Sequence, residues 1–332
     1  MARLRAALGA GTLRGMPVHP KARQLLDMLH RIEAPRLFEQ PLDIARHNYH
    51  KLLYAYRGEL EHVASVTDVE LPRRELAGGP LVARLYRTRP QALQPVVLWF
   101  HGGGWTLGDV AGYDGVCRSI AHRADCAVLA VDYRLAPENA FPAAVDDAWM
   151  AWRWVQQYGA EHGLDAARVT VAGDSAGGNL SAVLNLMTRD AGGMQPCLQV
   201  LVYPSTDQLS EAPSYQQWGE GHFLDRDSIA WFQRNYLPSS ADYLDWRASP
   251  RRASDHRSLA PALLISAECD PLVDDVIAYG NQLQAAGVPV RHVCYHGMIH
   301  GFLSMARLFT ATSDALDEIA LTVRAASGLM PQ

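Results

Sequence analysis

Residues 169–178, Val169-Thr170-Val171-Ala172-Gly173-Asp174-Ser175-Ala176-Gly177-Gly178, hold a short apolar strand run, a Gly-Asp-Ser-Ala-Gly turn and the start of a helical pattern. Gly-x-Ser-x-Gly at a strand-to-helix junction has a mechanical reason. Glycines two before and two after the serine permit a tight turn and close approach of neighbouring strands. Such a turn lifts the Ser175 hydroxyl out of the backbone at the carboxyl edge of a sheet. It also sets the Ala176 N–H at a helix N-terminus, where it can face developing negative charge. Ser175 therefore reads as a nucleophile.

The surrounding sequence supplies the sheet. Continuous apolar runs at 96–100, 127–131, 169–172, 200–203, 263–266 and 290–295 suit strands buried on both faces. Helical stretches at 114–123, 142–158, 176–189 and 274–286 alternate with them, which predicts a doubly wound, mostly parallel α/β sheet. Ahead of these, 63–71 and 81–87 alternate apolar and polar residues around Gly78-Gly79-Pro80, a hairpin signal. From about Pro20 to Tyr56 the pattern is helical, interrupted by Pro35 and Pro41. Residues 205–247 carry Trp218, Phe223, Trp231, Phe232, Tyr236 and Trp246 but no buried-strand run, and so read as an insertion between two sheet strands.

Composition bounds the class. A chain of 332 residues with 48% hydrophobic residues is neither disordered nor fibrous. Its net charge of −5 argues against nucleic acid as the main partner, which needs a concentrated basic surface. Residues 1–61 hold ten Lys and Arg against six Asp and Glu, a local +4 that reads as solvated helix faces. The five cysteines are widely spaced without a Cys-x-x-Cys pair, so neither a metal knuckle nor a disulfide framework is expected. Residues 1–16 build no sustained apolar leader and no run is long enough to span a membrane, so the expected location is cytoplasmic.

A serine hydroxyl needs a base to accept its proton. Where the partners follow in the order serine, acid, histidine, the base sits in the loop after the last strand. His296 and His300 both fall there, and position favours His300, which precedes Gly301-Phe302. For the acid, Asp270 lies in the Glu268-Cys269-Asp270-Pro271 turn after the 263–266 run; Asp274 and Asp275 read as charges at a helix start. Directly after the 96–100 run comes His101-Gly102-Gly103-Gly104-Trp105. Bare N–H groups of Gly103 and Gly104, with that of Ala176, are candidate donors to a tetrahedral oxyanion. Arg134 and Glu138 are read as anchors of the loop after their strand, and Asp174 as bonding neighbouring loop amides.

Taken together, five motifs in order resemble the bacterial hormone-sensitive-lipase family (family IV) of α/β-hydrolase esterases. They are His101–Trp105, Asp132-Tyr133-Arg134-Leu135-Ala136-Pro137-Glu138, Gly173–Gly178, Asp270-Pro271-Leu272 and His300-Gly301-Phe302. The resemblance implies Ser175 as nucleophile, Asp270 as acid and His300 as base, with Gly103, Gly104 and Ala176 forming the oxyanion hole. It implies a small-molecule ester substrate with a short-to-medium acyl chain, no metal or cofactor, and homodimers paired through the last strand. The residues left over outside the sheet and its helices are expected to form a cap, with a helical cap region at 1–61, a catalytic domain at 62–332 and a cap insertion at about 205–247. The His101–Trp105 stretch also resembles kynurenine formamidases, which keeps formamide hydrolysis as an alternative. Gibberellin receptors resemble the same family but lack the histidine that His300 retains here.

Overall fold

The apolar runs form the middle of one sheet. In the computed structural model, which describes residues 18–72 and 79–329, eight strands are found among the described residues. They are β1 (Ser65–Leu71), β2 (Leu81–Arg87), β3 (Gln94–Phe100), β4 (Ala127–Val131), β5 (Leu164–Asp174), β6 (Leu198–Val202), β7 (Ala262–Cys269) and β8 (Val290–Ile299). Their order is β1-β2-β4-β3-β5-β6-β7-β8. β2 runs antiparallel to β1 and β4, and every pairing from β4 to β8 is parallel.

Nine helices are found among the described residues: α1 (Pro20–Arg31), α2 (Leu42–Tyr56), α3 (Asp114–Ala124), α4 (Ala143–Tyr158), α5 (Ala176–Ala191), α6 (Pro213–Trp218), α7 (Arg226–Tyr236), α8 (Val273–Ala285) and α9 (Thr310–Ala326). Local chemistry sets several starts. Pro20 and Pro213 open α1 and α6, where a missing N–H costs nothing, and the Asp225 carboxylate caps α7 by accepting from the Ser228 N–H at 2.8 Å.

Strand alternation divides the core. Val97 and Trp99 of β3 join Val128 and Ala130 of β4 in packing with residues of α3 and α9. Val96, Leu98 and Phe100 face the other way, towards Val145, Ala148 and Leu180 of α4 and α5. Because both faces are covered, β3, β4, β6 and β7 are buried along their whole length. The sequence had no other way to hide such unbroken apolar runs.

Register then aligns the strand ends. Phe100 pairs with Gly173, Gly173 with Leu201, and Cys269 with Ile299. His101, Ser175, Asp270 and His300 each directly follow the last residue of their strand, so one edge of the sheet collects all four.

One boundary departs from expectation. β8 runs to Ile299 rather than ending at 295, so His296 lies within the strand and not in a loop. The apolar pattern stops earlier, but the backbone keeps its pairing past an irregularity between Ala267 and Cys269, where the Glu268 carboxylate accepts from the Gly297 N–H at 2.8 Å. Gly78 of the hairpin signal and the leader reading at 1–16 lie outside the described residues.

Two segments reach the carboxyl edge from outside the sheet layers. α6 and α7 fall between β6 and β7, and Phe232 of α7 rests on Gly104, where an added Cβ would collide with its ring. Tyr236 of α7 stacks on Trp105 with ring centroids 4.3 Å apart. Arg36, between α1 and α2, pairs with Asp225 at 3.3 Å.

Candidate active site

The turn around Ser175 is built by exclusion. A Cβ on Gly177 would collide with the Phe100 carbonyl, and one on Gly173 would meet both that carbonyl and the Gly177 backbone. Only glycine lets β3 and the start of α5 approach this closely. Ser175 itself sits at φ 55°, ψ −116°, a strained conformation for a residue with a side chain, held by its N–H donating to the Val202 carbonyl at 2.8 Å.

Three side chains from three sheet segments meet there. The Ser175 hydroxyl lies 2.9 Å from His300 Nε2, and His300 Nδ1 lies 2.6 Å from Asp270 Oδ2. An ionised carboxylate only accepts, so Nδ1 carries the proton and Nε2 is left to accept from the serine. Asp270 is fully buried, and its other oxygen accepts from the Leu272 N–H at 2.9 Å. The carboxylate is thus fixed at both oxygens. Tyr203 packs against the imidazole with centroids 4.6 Å apart.

The other downstream histidines are engaged elsewhere. His296 lies 3.3 Å from the Glu268 carboxylate, His292 bonds Ser266, and His256 bonds the Pro250 carbonyl. Asp274 accepts from the Ser214 N–H, while Asp275 is buried and accepts from the Ser210 and Tyr215 hydroxyls. Asp275 does more than charge a helix start: it ties α8 to the segment carrying α6.

The glycine loop is held by its carbonyls. The Gly102 carbonyl accepts from His101 Nδ1 at 2.8 Å, and the Gly103 carbonyl accepts from the N–H groups of Thr106 and Leu107 at 3.1 and 2.8 Å. In a trans peptide the N–H points opposite to the C=O, so these bonds orient the N–H groups of Gly103 and Gly104. Among the described residues, the N–H groups of Gly103, Gly104 and Ala176 donate to no carbonyl or side chain. Gly103 and Gly104 adopt φ +118° and +59°, and at both positions a Cβ would collide with neighbours.

Asp174 joins this loop to the serine turn. Its carboxylate accepts from the Gly102 N–H at 2.8 Å and from the Tyr113 hydroxyl at 3.0 Å. Burial pushes its pKa up to about 6, against these two bonds, which favour the ionised form. Arg134 pairs with buried Asp147 at 3.0 Å, and Glu138 with Arg46 of α2 at 2.7 Å, so both anchor their loop. Sequence reading missed Tyr113 and Arg46, which carry no local motif, although Arg46, Tyr49, His50 and Leu53 fall at helical spacing along α2; Phe232 was noted only as one aromatic of the 205–247 insertion. Among the described residues no group of His, Cys, Asp or Glu is arranged to hold a metal ion, and no helix is long and apolar enough to cross a membrane. All five cysteines are unpaired.

Comparison with known proteins gives the same fold. Residues 97–304 match a family described as having the alpha/beta hydrolase fold. The chain is 37% identical over 278 residues to an ethyl acetate hydrolase of Pseudomonas putida, covering 82% of this chain and 87% of that one. It is 43% identical over 251 residues to the esterase LipI of Mycobacterium tuberculosis, covering 74% and 78%. Among solved structures, a hyperthermophilic esterase from the archaeon Pyrobaculum calidifontis superposes with TM-score 0.86 at 38% identity, covering 93% of this chain and 99% of that one. An ester hydrolase from the Lake Arreo metagenome, complexed with a bipyridine phosphonate derivative, gives TM-score 0.89 at 36% identity, covering 94% and 99%.

Proposed function

Because the chain belongs to the hormone-sensitive-lipase-like family (family IV) of α/β-hydrolase esterases and is a carboxylic ester hydrolase, we propose that it cleaves esters through Ser175, His300 and Asp270. The observation that carries this is the continuous chain of hydrogen bonds from the Ser175 hydroxyl through the imidazole to a buried carboxylate.

In the proposed reaction Ser175 Oγ attacks the ester carbonyl as His300 Nε2 takes its proton. The tetrahedral oxyanion is held by the N–H groups of Gly103, Gly104 and Ala176, each worth about 100-fold to 1000-fold in turnover. His300 then gives its proton to the departing alcohol, leaving an acyl group on Ser175. Water, deprotonated by the same imidazole, hydrolyses that acyl-enzyme. Asp270 holds the imidazole in the required tautomer and stabilises its cation.

The N-terminal helices within 1–61 and the 205–247 insertion act as a cap over this edge, and 62–332 forms the catalytic domain. Phe232 against Gly104 and Phe223 against Gly301 support a confined pocket suited to short and medium acyl chains. The ester named for Pseudomonas putida's enzyme is small, which agrees with such a pocket.

Assay of p-nitrophenyl acetate through laurate with the wild type and Ser175→Ala tests the reading. Turnover that declines with chain length and is abolished in Ser175→Ala is expected; retained turnover in Ser175→Ala would falsify the nucleophile. Faster turnover of N-formylkynurenine than of any aryl ester would move the substrate to formamides.

A further inference from the structure

We propose that Arg46 of α2 is a positioning residue for the oxyanion-binding amides, acting through Thr106. This role presupposes the esterase chemistry above and adds a component from outside the catalytic sheet.

Arg46, Tyr49, His50 and Leu53 occur at i, i+3, i+4 and i+7 on α2, one face of the helix. That whole face meets the loop between β3 and α3. Arg46 Nε donates to the Thr106 carbonyl at 3.0 Å. Tyr49 meets Tyr113 hydroxyl to hydroxyl at 3.4 Å, His50 Nδ1 lies 2.8 Å from Asp109 Oδ2, and Leu53 packs on Gly112.

Thr106 is the residue through which this contact reaches the site. Its N–H donates to the Gly103 carbonyl and its hydroxyl donates to the Gly104 carbonyl at 3.0 Å. The Gly103 carbonyl shares a peptide with the Gly104 N–H, so a rotation of Thr106 turns the donor itself. Arg46 fixes the remaining polar group of Thr106, its carbonyl.

The rest of the guanidinium makes a brace. Nη2 donates to the Ala136 carbonyl at 2.9 Å, and Nη1 and Nη2 donate to the two Glu138 oxygens at 2.8 and 2.7 Å. Ala136 in turn donates its N–H to the Trp105 carbonyl at 2.8 Å. One planar, permanently charged fork therefore spans the loops after β3 and after β4. The Arg46 pair with Glu138 is partly exposed and adds little to stability by itself. Its geometric effect on the loop is the larger one, because misplacing a catalytic group by about 1 Å costs on the order of 100-fold in rate.

The test uses the full chain with Arg46→Ala and Arg46→Lys. Steady-state kinetics on p-nitrophenyl butyrate are measured beside the inhibition constant of an alkyl trifluoromethyl ketone, which adds to a serine to give a tetrahedral oxyanion. Active sites are counted with a fluorophosphonate, so that any unfolded fraction drops out. Expected for Arg46→Ala is a fall in kcat of about 10-fold to 100-fold per active site. KM should stay within threefold, and the ketone should weaken in parallel with kcat. Arg46→Lys, which keeps the charge without the fork, should fall between. Unchanged kcat per active site, or a fall in kcat without weaker ketone binding, overturns the role of Arg46. A wild type that hydrolyses no ester overturns the esterase reading and this role with it; an active wild type matched by Arg46→Ala overturns this role alone.

Discussion

Asp174 and Gly102, 72 residues apart in sequence, are joined by a 2.8 Å hydrogen bond from the Gly102 N–H to a carboxylate beside Ser175. The serine turn and the glycine loop are thus one rigid unit rather than two neighbouring motifs. Tyr113, directly before α3, donates to the other carboxylate oxygen and closes the arrangement.

The burial of the Asp174 carboxyl has a pH signature. Burial raises the Asp174 pKa from 3.8 to about 6, so the folded chain holds this proton where the unfolded chain releases it. The contribution to stability is full below the unfolded value, falls as pH rises, and is gone above about pH 6. Asp174→Asn removes the slope. The stability difference between wild type and Asp174→Asn, read from urea midpoints between pH 3.5 and 7, should change by on the order of 2–3 kcal/mol. Parallel curves across that range would contradict it.

Asp270 acts on His300 only by accepting from Nδ1. In Asp270→Asn an amide NH2 can face that nitrogen and stabilise the other tautomer, so that Nε2 no longer accepts from Ser175. The expected loss in kcat is about 10⁴-fold with KM little altered, since Asp270 is fully buried and bonds the imidazole nitrogen opposite the one that faces Ser175. A loss carried by KM instead would assign Asp270 to substrate binding.

Phe232 is the side chain that limits space over Gly104. Phe232→Ala removes the ring and should shift preference towards longer acyl chains, raising the octanoate-to-butyrate ratio of kcat/KM by about 10-fold. An unchanged profile in a p-nitrophenyl ester series would place the acyl chain on another wall.

Most of the architecture was legible in the chain. Unbroken apolar runs such as 127–131 can only be hidden between two layers, and β4 was found where its run lies. Asp174-Ser175 between glycines likewise specifies its turn, because no other residue fits against the Phe100 carbonyl. The end of β8 was not legible: backbone pairing carried the strand past its last apolar residue, and period alone does not report pairing.

By itself the sequence determined whatever ten or so consecutive residues settle: the buried strands, the serine turn, the glycine loop and the expectation of an acid and a base at later strand ends. Position along the chain favoured His300 over His296 as the base, and the family resemblance implied the same residue. Only the tertiary structure decided that His300 stands 2.9 Å from Ser175 while His296 turns to Glu268. It alone decided that Phe232 covers Gly104 and that Arg46 grips Thr106. The physical reason is one of range. A turn or a period is fixed by neighbours along the chain, but a meeting of side chains depends on strand register and helix docking, which are set by packing of the whole core.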